Sequence, residues 1–252
     1  MDTLEIVLLL VGGAFAGGVN AVAGGGSALS VPLLVLGGVP GVAANGSNRV
    51  GILTSTLVSY WSYRREGKTV EWGALGTIIP PALAGSALGA FAIGQLTDET
   101  FERGFGLLII PIIILTVTKP RPKTDAPPWP DVVTVSVFFV IGIYAGAVQA
   151  GVGLLVLAAL SRAGMDLITA NVVKVLFNFL ATVIALPVFI LQGNVRWGPA
   201  IVLAIGLSIG GWIGPKLAVR GGERWIRIVM IIAAVALALR LLGVFDWIAG
   251  QF

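Results

Sequence analysis

Apolar residues fill eight stretches of the chain almost without interruption: 4–39, 50–63, 72–96, 105–117, 132–160, 168–191, 197–219 and 226–244. The polar and charged residues gather mainly in the short intervals between them, and the stretches lack the wide polar face of a surface helix. A bilayer crossing takes about 20 apolar residues at 1.5 Å each. The pattern therefore predicts an all-α polytopic membrane protein with six to eight spans and short connections.

One interval differs in kind. KPRPKTDAPPWP, at 119–130, is rich in proline, which lacks a backbone donor and biases the chain toward extended structure. It divides the chain into a first unit of residues 1–118 and a second of residues 131–252. The two units resemble each other in order and spacing. FAGGVNA at 15–21 recurs as YAGAVQA at 144–150, so that Asn20 corresponds to Gln149. Asn45 and Arg49 recur as Asn171 and Lys174, GKTVEW at 67–72 as GNVRW at 193–197, Gly85 and Gly89 as Gly210 and Gly214, and Phe101-Glu102-Arg103 as Trp225-Ile226-Arg227. Five matches in one order are hard to obtain by chance and point to a duplicated four-segment unit.

The opening stretch of each unit is too long for one crossing. Residues 4–39 number 36 and as one helix would reach ~54 Å, against a hydrocarbon core of ~30 Å. Gly24, Gly25 and Gly26 lie near the middle, and three adjacent glycines oppose helix by roughly 1 kcal/mol each. Pro32 then suits the start of a second short helix. Gly146, Gly151 and Gly153 occupy the matching place in the second unit.

Lysine and arginine discriminate between a spanning and a re-entrant opening segment, because cytoplasmic loops are enriched in them. If all eight segments span, the 16 basic residues divide 8 against 8. If the first segment of each unit is a re-entrant hairpin, the loops holding Arg64 to Lys68, Lys119 to Lys123, Arg162 to Lys174 and Lys216 to Arg227 fall on one side, and the division becomes 12 against 4. The hairpin arrangement leaves three spans per unit, an odd number, so the second unit is an inverted copy of the first, the architecture of many secondary transporters.

Composition narrows the chemistry. Of the 252 residues, 57% are hydrophobic and 11% charged, whereas a soluble domain is about a quarter charged. Cysteine and histidine are both absent, which removes disulfides, thiolate nucleophiles, histidine metal sites and histidine proton shuttles. With no nucleophile–base pair or metal cluster, an enzyme is not expected, and no cofactor is implied. Asp2 and Glu5 stand where a signal peptide would carry basic residues, so the first stretch reads as a retained membrane segment. The net charge of +4 is scattered without a basic stripe, which argues against nucleic acid.

A hairpin tip at membrane depth needs protein or a watery cavity to satisfy its peptide groups. The half-helix beginning near Ser27 would aim free N–H groups and a positive dipole end at the turn, favourable to an anion. Around the tips the sequence supplies Asn20 with Gln149, Asn45 with Asn171, and Arg49 with Lys174, together with Ser27, Ser47, Asn48 and Asn178. The candidate binding set is Asn20, Gly24, Gly25, Gly26, Ser27, Asn45, Asn48, Arg49, Gln149, Gly151, Gly153, Asn171, Lys174 and Asn178, all donors toward an oxyanion or parts of the two glycine turns. Lys174 and Asn178 share a helix face at i, i+4, and a charge in so apolar a segment is expensive. Plainer readings stand beside this: Arg49 and Lys174 could snorkel to the interface, the glycines could serve packing, and Asn20 and Gln149 could be polar glue between helices. The carboxylates all fall at segment ends or in loops, so no intramembrane proton relay is evident.

GGVNAVAGGGSALSVP at 17–32, AANGSNRVG at 43–51, YAGAVQAGVG at 144–153 and TANVVKVLFN at 169–178 resemble the sulfite exporter TauE/SafE family over nearly the whole chain. The resemblance implies a duplicated membrane domain that exports sulfite or small organosulfonates across the cytoplasmic membrane. It maps the family's glycine-rich segment onto Gly24 to Ser27 and its Asn-Arg element onto Asn48-Arg49, while Lys174 has no preceding Asn.

The expected function is export of a small oxyanion by alternating access of two inverted repeats; an anion channel and a non-transporting membrane scaffold remain as alternatives. Expected partners are the anion, the lipid bilayer and, as one permitted assembly, a second copy of the chain. An anion leaving a cell that is negative inside gains about 2.3 kcal/mol per charge per 100 mV, so export can run without a coupled ion.

Overall fold

The computed structural model describes residues 1–23, 25–65, 67, 70, 72–118, 129–162, 165 and 167–219. Most of the 119–130 linker, the 226–244 stretch, Gly24, and the Trp225-Ile226-Arg227 match lie outside them. Among the described residues the fold is entirely helical: α1 Thr3–Ala23, α2 Ser27–Leu36, α3 Gly41–Arg65, α4 Ile79–Ile93, α5 Asp98–Thr118, α6 Asp131–Ala147, α7 Val152–Arg162, α8 Leu167–Leu191 and α9 Trp197–Val219, with one 3-10 turn at Trp72–Leu75.

The opening stretch breaks where the glycines predict. α1 ends at Ala23 and α2 begins at Ser27. The two then run antiparallel, with Gly26 against the Ala16 carbonyl and the Asn20 side chain, and Leu33 against Gly12. The arms are unequal: α1, with 21 residues, is ~32 Å long and α2 about half that. Pro32 lies inside α2 and not at its start; its missing N–H costs one bond in a helix only two to three turns long. In the second unit the break spans Val148 to Gly151, between α6 and α7.

Among the described residues, three helical stretches are long and apolar enough to cross a bilayer: Thr3–Ala21, Thr169–Leu191 and Trp197–Gly214. α3 has the length but begins nine residues before the apolar stretch at 50, because Asn45, Asn48 and Arg49 form a buried polar face and Ser47 is buried on another side of the helix. Outward faces are apolar instead: Leu4, Val7, Leu8 and Val11 on α1, and Ile201, Ile205, Ile209 and Trp212 on α9, are exposed, as lipid contact requires.

Glycine seams fix which helices pair. On α9, Gly206 abuts Leu10 and Ala14, Gly210 abuts Ala14 and Gly18, and Gly214 abuts Gly18 and Ala21, so α1 and α9 run parallel. On α4, Gly85 abuts Phe139 and Ile143, and Gly89 abuts Ile143 and Ala147, so α4 and α6 run parallel. Under the 15–21 to 144–150 correspondence, Leu10, Ala14 and Gly18 are the counterparts of Phe139, Ile143 and Ala147. The packing equivalents of Gly85 and Gly89 are therefore Gly206 and Gly210. This corrects the sequence match to Gly210 and Gly214 by one helical turn, a shift that a 3.6-residue period conceals among closely spaced glycines.

Further pairings complete the set. α3 runs parallel to α9, with Thr54 bonded to Ser208 at 3.0 Å and Ser59 to the Gly211 carbonyl at 3.2 Å. α4 runs parallel to α8, with Ser86 on the Ala181 carbonyl at 2.8 Å and Gln192 on the Phe91 carbonyl at 3.2 Å. The first half of α3 shares one core with Ala185, Leu186 and Phe189, and its last turns, through Tyr60 and Tyr63, pack on the other core with Ala170, Val172 and Val173. α3 and α8 are thus antiparallel. α1, α3 and α9 run one way; α4, α6 and α8 run the other.

Candidate functional site

Arg49 sits on the buried face of α3 with no solvent-exposed surface. Its Nη1 donates to the Ala145 carbonyl and its Nη2 to the Gly146 carbonyl, both at 2.6 Å, and its guanidinium lies 5.3 Å from the Phe189 ring centre. Asn45, one turn earlier, donates to the Ala147 carbonyl at 2.7 Å. These three carbonyls close the C-terminus of α6, where the break frees them from helical partners. A cation suits the negative dipole end there.

Lys174 on α8 is equally buried. Its Nζ donates to Asn171 Oδ1 at 2.9 Å and approaches the Ala21 carbonyl near the end of α1 at 3.4 Å. Each unit therefore sends its buried cation to the broken helix of the other. Snorkelling is excluded for both. The ion pairs among the described residues join Met1 with Glu5 and Arg103 with Glu99, so neither Arg49 nor Lys174 has a carboxylate partner there.

The other candidates are distributed around these breaks. At the first, Ser30 donates to Asn48 Oδ1 at 2.6 Å and Asn48 Nδ2 to Ser27 Oγ at 3.2 Å, tying α3 to the start of α2. Gly25, Gly26 and Asn20 are buried beside them. A methyl group on Gly26 would strike the Ala16 carbonyl, so close packing alone already requires this glycine. Ser47 faces elsewhere, accepting from the Arg196 N–H at 2.8 Å.

At the second break, Gln149 adopts φ 62° and Gly151 φ 72°. Glycine bears such a backbone easily; glutamine does not, and strain of this kind gathers at functional turns. Gln149 Nε2 donates to Thr182 at 2.8 Å, and the Tyr144 hydroxyl holds the Ala150 carbonyl at 2.7 Å. Gly153 is buried in the first turn of α7, and Asn178 lies between Lys174 and Thr182 on α8. Thr182 and Tyr144 were not among the sequence candidates. A polar residue four positions beyond Asn178 was the available signal for Thr182.

Most of the side-chain donors expected to face a ligand are therefore engaged by the protein. What remains is charge: Arg49 and Lys174, buried at two helix breaks without a carboxylate partner among the described residues. The sequence matches the model of the sulfite exporter TauE/SafE family over residues 9–241. The chain belongs to the sulfite exporter TauE/SafE family. It is 28% identical over 245 residues to a probable membrane transporter protein, ORF9, of a Sinorhizobium species, covering 94% of this chain and 92% of that one. It is 24% identical over 253 residues to a probable membrane transporter protein of Haemophilus influenzae, covering 98% and 97%. No solved structure matches. The TauE/SafE assignment makes the chain an integral membrane protein of a transporter family.

Proposed function

We propose that this chain exports a small oxyanion, sulfite or an organosulfonate, across the cytoplasmic membrane, by alternating access of two inverted repeats divided at residues 119–130. The observation that carries the reading is the pair Arg49 and Lys174, fully buried and without a carboxylate among the described residues. A buried charge without a counter-ion costs several kcal/mol, and helix-end carbonyls offset only part of it. A bound anion supplies the rest.

Inversion is supported by helix direction. The counterparts α1 and α6, α3 and α8, and α4 and α9 run oppositely, while the seams α1 with α9 and α4 with α6 repeat the same contacts. The Arg64–Arg65 end of α3 and the Asp131 end of α6 then share a side, the one that the 12 to 4 division of basic residues makes cytoplasmic. The α1–α2 and α6–α7 pairs act as re-entrant hairpins whose tips approach the same depth from opposite faces. The binding set is centred on Arg49, Lys174, Asn45, Asn48, Gln149 and Asn178, with the glycine turns around them.

Sulfite counterflow in proteoliposomes tests this. Saturable exchange is expected, reduced at least ~10-fold, about 1.4 kcal/mol, in Lys174→Met. Absence of sulfite and sulfonate exchange from folded, reconstituted protein would refute the reading, and flux that rises linearly without counterflow would mark a channel.

A further inference from the structure

The two hydrophobic cores do not follow the two units of the sequence. The first is built by α1, α2, α3 and α5 of the first unit, yet Leu203 and Leu207 of α9 complete it. The second is built by α6, α7 and α8 up to Ala181, yet Ala82 of α4, with Leu75 and Ile78 before it, completes that one. The units have exchanged α4 for α9. The glycine seams follow the same exchange. A Cβ on Gly206, Gly210 or Gly214 of α9 would strike α1, and one on Gly85 or Gly89 of α4 would strike α6. Interhelical bonds extend each seam: Thr54 of α3 meets Ser208 of α9 at 3.0 Å, and Ser86 of α4 donates to the Ala181 carbonyl of α8 at 2.8 Å. Backbone set directly on backbone leaves no intervening side chain to rearrange, so each seam holds its helices as one piece.

The contacts between the two sets differ in kind. Arg49 and Asn45 reach the carbonyls of Ala145, Gly146 and Ala147, and Lys174 reaches that of Ala21. Ala185, Leu186 and Phe189, in the last turns of α8, and Ala90 of α4 touch the first core through their side chains. Side-chain contacts of this sort can be exchanged as packed bodies slide or rotate. The correspondence of α1, α2, α3 and α4 with α6, α7, α8 and α9 converts the set α1, α2, α3, α9 into α6, α7, α8, α4, so inversion relates the sets as it relates the units. Resting on the anion-carrier reading, we infer that the bodies that move against each other are not the two units but these two mixed sets, with the contacts of Arg49 and Lys174 on the boundary between them. α5 goes with the first set, its Asp98 carboxylate accepting from the Val42 N–H at 2.9 Å. The α8–α9 connection crosses the boundary and is fastened on both sides, Gln192 to the Phe91 carbonyl at 3.2 Å and the Arg196 N–H to Ser47 at 2.8 Å. An exchange of helices that served stability alone would not need both buried cations on that boundary.

A disulfide between Thr54→Cys and Ser208→Cys, in a chain with no cysteine of its own, tests this, because it ties the first unit to the second inside one set. Sulfite counterflow is measured in proteoliposomes before and after oxidation, with cross-linking verified by mass spectrometry. No loss of rate on oxidation is expected. Loss on oxidation, regained on reduction, would overturn this inference and leave the carrier reading standing, since the units would then move whole. Absence of counterflow from the unaltered chain would refute the carrier reading instead. If the reduced double variant is inactive while the unaltered chain transports, spin-label distances between exposed positions decide. Val11 to Ile205 and Leu88 to Val140, each within one set but across units, should hold on adding sulfite, whereas Val11 to Leu88, within the first unit, should shift. The opposite pattern would overturn the inference, and no shift in any pair would refute alternating access itself.

Discussion

Arg49 Nη2 on α3 holds the Gly146 carbonyl of α6 at 2.6 Å, 97 residues further along the chain. The contact joins a cation of the first unit to the helix break of the second, and Lys174 makes the reciprocal reach toward Ala21. These side chains do two things at once: they cap interrupted helices and place positive charge where the backbone is irregular.

Removing the cap should be felt in stability. Arg49→Ala leaves the Ala145 and Gly146 carbonyls unpaired, at roughly 1–3 kcal/mol each, whereas Arg49→Lys can keep one bond and the charge. Thermal unfolding in detergent should rank wild type above Arg49→Lys above Arg49→Ala. Indistinguishable midpoints for the three would show that the contact caps nothing.

The glycine seams should tolerate no methyl group. A Cβ on Gly146 would collide with the Ser86 carbonyl, and one on Gly210 with the Ala14 carbonyl, while one on Gly104 of α5 meets nothing within 4 Å. Gly146→Ala and Gly210→Ala should lower the unfolding midpoint. Gly104→Ala should leave it unchanged or raise it, by up to about 1 kcal/mol of helix propensity.

Gln149 separates backbone strain from side-chain bonding. Gly and Ala at 149 both lose the bond to Thr182, but only alanine must hold φ 62°. Gln149→Gly should exceed Gln149→Ala in stability by about 1–2 kcal/mol. The reverse order would mean that the break relaxes to another conformation.

Helix direction sets a topology that labelling can read. Cysteines introduced at the exposed positions Gln95, after α4, and Asp131, at the start of α6, should be accessible from opposite faces in intact cells, Gln95 from outside and Asp131 from the cytoplasm. The absence of native cysteine makes the assay clean. Labelling of both from one face would contradict the inverted arrangement.

Some of this was legible before folding. The glycine break between α1 and α2 and the bounds of α9 follow from apolar runs and glycine placement, because those signals are local. The start of α3 was hidden, since Asn45 to Arg49 read as a polar interval when they are buried helix, with Asn45 and Arg49 bonded to carbonyls about a hundred residues away. The engagement of these amides and cations is likewise set by distant backbone: no local pattern reveals that Ala145, Gly146 and Ala147 present their carbonyls to α3. Nor does composition foretell that Gln149, flanked by small residues, takes the left-handed turn.

The central claim is that the buried cations exist to hold an anion, and the sulfite-binding isotherm of Lys174→Met tests it most directly. Methionine keeps the length and removes the charge; the lost contacts to Asn171 and the Ala21 carbonyl are set against relief from burying an ammonium without a counter-ion. The account predicts a folded variant whose sulfite affinity is reduced at least ~10-fold, about 1.4 kcal/mol. Unchanged sulfite affinity in that folded variant would contradict it.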